Sequence, residues 1–145
     1  CMAARDMQVV AAGYAAQYTP APKAAVCIYI GKLGAGAGIV LDGKVWGGAA
    51  GFAGELHYLP IKHNLEYAQN HFAGADICGC AALINPDRVV LYADPRLADK
   101  ASQICVSCAQ ALPEQAMPVI ELSRSFEQDY TRGLFTLAKK MEETT

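Results

Sequence analysis

The residue type and setting most suited to chemistry is a single acid, Glu55, held in the run GFAGELHYLP between Gly54 and Leu56. A carboxylate among apolar neighbours must find hydrogen-bond donors if it is buried. An ionised carboxylate can accept two adjacent donors. A bound ligand or the loop's own backbone amides would supply them, and the residues alone leave both open. Tyr58 offers a flat ring that suits stacking on a ligand and equally suits packing ahead of Leu59 and Pro60. His57, between the two, reads as a half-exposed surface residue. A second acid, Asp6, opens a helical stretch, where a carboxylate caps free backbone N–H groups.

A glycine-rich frame has to position these groups. Gly34, Gly36 and Gly38 alternate into an apolar run that ends at Leu41, and Asp42-Gly43 reverses the chain. Asp-Gly between strand-like runs predicts a type I′ hairpin turn, because both central positions need φ > 0. A short strand through Val45 and Trp46 follows, then a second loop carrying Gly48, Gly51 and Gly54. Glycines on either side of a hairpin predict backbone N–H groups open to a ligand, with no Cβ in the way. Trp46 reads as a core or interface anchor.

The same string resembles the ROK proteins (repressors, open reading frames and sugar kinases), whose pattern is roughly GTGIGAGIVxxGxxxxGxxGFAGExGH. Gly34, Gly36, Gly38, Ile39, Val40, Gly43, Gly48, Gly51, Phe52, Ala53, Gly54 and Glu55 fall in register. So many ordered matches are far more specific than an isolated glycine motif. Lys32 and Leu33 stand where the family has Gly-Thr, Ala50 replaces a common Asn, and His57-Tyr58 replaces Gly-His. The resemblance implies a sugar bound through Gly51, Glu55 and Tyr58, and nucleotide phosphates bound along Gly34, Gly36 and Gly38. It also implies that Asp6, matched with Gly13 to the family's Asn-Asp-x-Asn-Ala-Ala-Ala-x-Gly helix, is the general base of a kinase. ATP and Mg are then the expected cofactors. The fold it implies is α/β, the C-terminal lobe of the sugar-kinase and actin-like ATPase (ribonuclease H-like) fold.

The rest of the chain reads as elements that pack this frame. Residues 6–18 predict a helix stopped by Thr19-Pro20, and residues 24–31 (AAVCIYIG) a buried strand. Residues 64–84 predict a helix that ends at Asn85-Pro86, since proline disfavours helical geometry in its predecessor. A strand over 88–92, a helix over 95–112, a strand over 118–122 and a final helix opened by Ser125-x-x-Gln128 complete the order. Gly133 inside that last helix costs about 1 kcal/mol against Ala and points to a close backbone contact. The alternation predicts one mixed sheet with a β-hairpin and packing helices. In the family the strand after Asn-Pro leads to a Gly-Gly nucleotide turn; here Ala93-Asp94-Pro95 follows.

The 145 residues, 53% hydrophobic, suffice for one core, so residues 1–145 are read as a single domain, a fragment of a longer protein. A formal charge of −2 gives no electrostatic footprint for nucleic acid or an anionic membrane, and no apolar run suits a membrane span. Cys1, Cys27, Cys78, Cys80, Cys105 and Cys108, without a secretory signal, predict reduced thiols in the cytoplasm. Cys105 and Cys108 form a CxxC, a spacing that suits redox chemistry or, with Cys78 and Cys80, a zinc site. Buried structural thiols are the stronger reading, and no metal is expected. The family's zinc loop reads as deleted, its His position being Tyr58.

Two functions follow. The first is the sugar-sensing lobe of a transcriptional regulator with degenerate nucleotide motifs, in which Glu55 and Asp6 hold a hexose, and which forms a homodimer and reaches DNA through a segment outside this chain. The second is the C-terminal lobe of an ATP-dependent sugar kinase.

Overall fold

The structure, a computed structural model, describes residues 4–31, 34–59, 73–93, 99 and 101–144. Residues 64–72 of the helix predicted over 64–84, the Lys32-Leu33 pair, the Asp94-Pro95 turn and Cys1 lie outside the described residues.

Helix α1 spans Ala4–Ala15, which puts Asp6 in its first turn rather than at the cap, and it ends before the predicted Tyr18. Strands β1 (Ala24–Gly31), β2 (Gly34–Leu41) and β3 (Lys44–Trp46) form an antiparallel meander. Asp42 and Gly43 take φ of 50° and 77°, as a tight reversal between β2 and β3 requires. Helix α2 (Ala73–Ile84) stops where Asn85 takes a left-handed φ of 50°, a conformation that Asn tolerates at helix ends. Strand β4 (Arg88–Ala93), helix α3 (Ala101–Ala111), strand β5 (Val119–Ser123) and helix α4 (Phe126–Thr144) follow.

The sheet order is β3-β2-β1-β4-β5, with β4 parallel to β1 and β5 parallel to β4. Alternation along β1 divides the core between the two faces of this sheet. Val26, Ile28 and Ile30 pack with Leu56, Ile77 of α2 and Ile104 of α3. Cys27 and Ala25 lie with Met7, Val10, Ala11 and Tyr14 of α1, and with Val90 and Tyr92 of β4. Trp46, expected as a core or interface anchor, is exposed on the short edge strand and so takes no part in the core. With only three residues, β3 is too short to be covered on both faces.

Helices α1 and α4 meet backbone to backbone. A Cβ at Gly13 would collide with the Asp129 carbonyl, and one at Gly133 with the Val9 carbonyl. The close contact expected of Gly133 is therefore present, with Gly13 as its counterpart. Beside it Asp129, 2% exposed, is fully engaged. The Tyr92 hydroxyl donates to Oδ2 at 2.6 Å, and Gln17 Nε2 and Arg132 Nη1 donate to Oδ1 at 2.9 and 2.8 Å.

Candidate functional site

Residues 47–59 fill the edge of β2 that β3 leaves uncovered. Gly48, Gly51 and Gly54 have φ of 78°, 71° and 97°, conformations that L side chains rarely adopt, so the path of this loop depends on glycine. The Ala37 N–H donates to the Gly54 carbonyl at 2.8 Å, and the Ala53 N–H to the Gly47 carbonyl at 3.0 Å. A Cβ on Gly54 would overlap the Ala37 carbonyl. The loop is thus pinned to the strand on one side of Glu55, and by the buried Leu56 on the other. Leu56 begins a 3-10 turn, Leu56–Tyr58, for which Glu55 is the N-terminal flanking residue.

Pinned this way, the Glu55 side chain is 19% exposed, with Oε2 3.4 Å from His57 Nδ1. The His57 ring lies 4.2 Å from the Tyr58 ring, and Tyr58 lies 5.0 Å from Phe52, centroid to centroid. The result is a carboxylate continuous with three aromatic rings at the surface. Gly51 faces open space, and its carbonyl lies 3.5 Å from Gln8 Nε2 of α1. Of the expected sugar contacts, Gly51, Glu55 and Tyr58 therefore share one loop. Phe52, a register match in the sequence, and His57, a surface residue there, join this group. The signal that would have singled them out is the grouping of three rings around one acid at positions 52, 57 and 58.

Asp6 goes elsewhere. It lines a cavity of about 460 Å³ with Phe126, Glu127, Tyr130 and Thr131 of α4. Residues two apart on a helix do not share a face, so Gln8 meets the glycine loop while Asp6 turns to α4.

The three alternating glycines differ from the expected open rim, since all lie within β2 and pair with β1 (Gly34 with Gly31, Gly36 with Tyr29, Gly38 with Cys27). N–H groups alternate between the two sides of a strand. Ala37 donates outward to Gly54 and Asp42 inward to the Lys23 carbonyl, so the N–H groups of Gly36 and Gly38 face β1. Gly38 has a packing reason as well, because a Cβ there would strike the Met7 carbonyl of α1. These two residues do not fit a phosphate cradle.

The thiols form a separate group between α2 and α3. Cys108 is buried, and burial first, then the neighbouring Cys78 and Cys105 thiols, push it up to about 12. Among the described residues no group of three or more His, Cys, Asp or Glu is arranged to hold a metal. Since folding favours the protonated thiol, the stability it brings is complete below the ordinary value of 9.0 and is lost as pH rises through about 12. At pH 8 iodoacetamide is expected to label the half-buried Cys105 and leave Cys108 on the order of a hundredfold slower, as peptide mass spectrometry would read. Equal labelling of the folded protein would contradict this packing.

Among the described residues no helix is long and apolar enough to cross a membrane. The fold is that of the sugar-kinase and actin-like ATPase class, and solved structures share it at low identity. A ROK family protein from Streptococcus pneumoniae TIGR4, crystallised with sucrose, matches with TM-score 0.68 and 15% identity over 94% of this chain and 65% of its own. A ROK family glucokinase from Streptomyces griseus, in complex with glucose and AMPPNP, matches with TM-score 0.69 and 13% identity over 93% and 67%. The ROK hexokinase from Thermus thermophilus matches with TM-score 0.69 and 17% identity over 95% and 65%. The chain thus spans about two thirds of the length of these structures. No curated protein matches the sequence. The sequence pattern of the ROK family, however, matches residues 1–83, more than half of the chain and the whole of the glycine frame with its acid, and the chain belongs to the ROK family.

Proposed function

We propose that this chain is the hexose-sensing lobe of a ROK-type regulator, with Glu55 as the ligand for sugar hydroxyls. The observation that carries the reading is the sheltered Glu55 carboxylate, aligned by His57 at 3.4 Å on a loop pinned at both ends. A carboxylate held in that way is pre-organised to accept two vicinal hydroxyls, and pre-organisation reduces the ordering cost of binding. The sucrose and glucose held by two structures of the same fold support a saccharide ligand. Sensing without turnover is supported by Asp6 facing α4 rather than the loop, and by Gly36 and Gly38 facing β1. In this reading the protein acts as a cytoplasmic homodimer, and DNA is contacted through a segment outside this chain.

The kinase reading keeps one specific observation in its favour, the cavity beside Asp6, wide enough for a hexose. One experiment separates the two. In the full-length protein Glu55→Ala is expected to weaken hexose binding, measured by calorimetry, at least a hundredfold, a loss of roughly 3 kcal/mol for a charged acceptor. Unchanged affinity would make Glu55 a brace for its own loop. ATP-dependent phosphorylation of the bound hexose, lost in Asp6→Asn, would replace the sensor with the kinase.

A further inference from the structure

We propose that Cys78 of α2 and Cys108 of α3 form an interhelical dithiol that a peroxide converts to a disulfide, a modification site independent of the ligand that Glu55 holds. The cysteine spacing suits redox chemistry or a metal, and among the described residues no group of three or more His, Cys, Asp or Glu is arranged to hold an ion. What the fold adds is a pairing across two helices. Helix α2 packs against α3, and the Cys108 thiol donates a hydrogen bond to Cys78 Sγ. Both cysteines are reduced in this structure. Sulfurs in such contact from facing helices reach a disulfide by side-chain rotation and a small approach of the two backbones. Cys105 and Cys108 stand three apart on one helix, so a bridge between them would constrain α3 alone.

Exposure sets the order of events. Cys78 is half-buried and open to a small oxidant, whereas Cys108 is fully buried. The thiolate is the nucleophile, and burial keeps Cys108 protonated at neutral pH. Cys78 therefore attacks first. Its sulfur bonds to one peroxide oxygen, the O–O bond breaks, and the departing hydroxide takes up a proton and leaves as water. Cys78 then carries a sulfenic acid. Cys108 Sγ attacks the Cys78 sulfur, the S–S bond forms, the S–O bond breaks, and hydroxide leaves with the Cys108 proton as a second water. Two thiols and one peroxide give one disulfide and two waters, with sulfur oxidised and peroxide oxygen reduced. A resolving thiol already in contact traps the sulfenic acid before further oxidation. In reducing compartments disulfides of this kind are transient and serve redox sensing.

The bridge lies behind the acid. Cys108 shares its buried cluster with Ile77, the neighbour of Cys78, and with Leu56, the neighbour of Glu55. Tying α2 to α3 therefore tightens the socket in which Leu56 pins the glycine loop.

The full-length protein, reduced and freed of reductant, is treated with hydrogen peroxide, blocked with iodoacetamide in urea and cut with trypsin. Trypsin leaves Cys78 and Cys80 in one peptide and Cys105 and Cys108 in another. A cross-link between the two peptides is expected, assigned by fragmentation to Cys78 and Cys108 and reversed by dithiothreitol. Cys80→Ser and Cys105→Ser should keep it, and Cys78→Ser should lose it and leave Cys108 reduced. Mapping of the wild type needs no variant, so the pairing is tested even where a substitution disturbs folding. The unfolding equilibrium constant of the oxidised protein is expected to fall on the order of a hundredfold, as a bridge closing a loop of about 30 residues gives. Amide hydrogen exchange at Leu56 should slow by about tenfold on oxidation and recover with dithiothreitol. Cys78 oxidised to a sulfinic acid without a cross-link, or a bridge between Cys105 and Cys108, would overturn the pairing. A Cys78–Cys108 bridge that leaves exchange at Leu56 unchanged would overturn the clamp on the loop.

Discussion

Gly133→Ala is expected to destabilise the protein by roughly 3 kcal/mol, as overpacking of a close contact does. The sign makes this informative, since the same change inside an exposed helix stabilises by about 1 kcal/mol. Here the new Cβ would meet the Val9 carbonyl of α1, which is main chain and cannot rotate aside. Gly13 has the reciprocal constraint against the Asp129 carbonyl, so Gly13→Ala should behave alike, and the two effects should not add because they open one contact. Urea unfolding followed by circular dichroism measures both. A raised midpoint for Gly133→Ala would mean that α1 and α4 are not seated as described.

Asp129→Ala should have a comparable effect, about 3 kcal/mol, by a different route. It leaves the buried Tyr92 hydroxyl without its acceptor, in a place that water barely reaches, whereas the exposed Gln17 amide can turn to water. Asp129→Asn retains an acceptor oxygen and should cost about half as much, with loss of the 2.8 Å ion pair to the half-exposed Arg132 contributing little. Burial, above all, raises the Tyr92 phenol far above its ordinary range. The stability it brings is therefore complete below the ordinary value of 10.0 and declines only as pH climbs beyond it. An unfolding midpoint for Asp129→Ala equal to the wild type across neutral pH would remove Asp129 from its central place.

The two predictions fall on the elements that hold α1, and α1 carries both Asp6 and Gln8. A loosened α1–α4 contact should therefore disturb the cavity beside Asp6 as well as the Gln8 contact with Gly51. Pinning by Leu56 and the Gly54 carbonyl does not involve α4, so the Glu55 loop should survive a moderate loosening.

Much of this molecule is legible in the residues alone, wherever a local rule decides the geometry. The predicted bounds of β1 agree with the strand because a short, continuous apolar run has to bury both of its faces. Asp42-Gly43 forces its turn because so few residues accept positive φ in succession. The register of twelve glycine-frame residues pointed to the family, since a loop built on left-handed glycines tolerates few other residues at those places. Gly133 declared a close approach by its misfit with helix propensity.

Only the tertiary structure decided where the acids and glycines face. Sequence spacing cannot tell an alternating glycine run that rims a pocket from one that crosses a sheet beneath a helix. The pairing of Gly36 and Gly38 with the neighbouring strand β1 places them inside the sheet, and the collision that Gly38 avoids is with Met7 of α1, an element the local sequence does not contain. Asp6 and Gln8 lie two positions apart, and it is the packing of α4 on one side and of the glycine loop on the other that gives them different neighbours. The grouping of Phe52, Glu55, His57 and Tyr58 likewise needed a fold, because a turn pinned by Leu56 and Ala37 brings together rings that an extended chain would point apart.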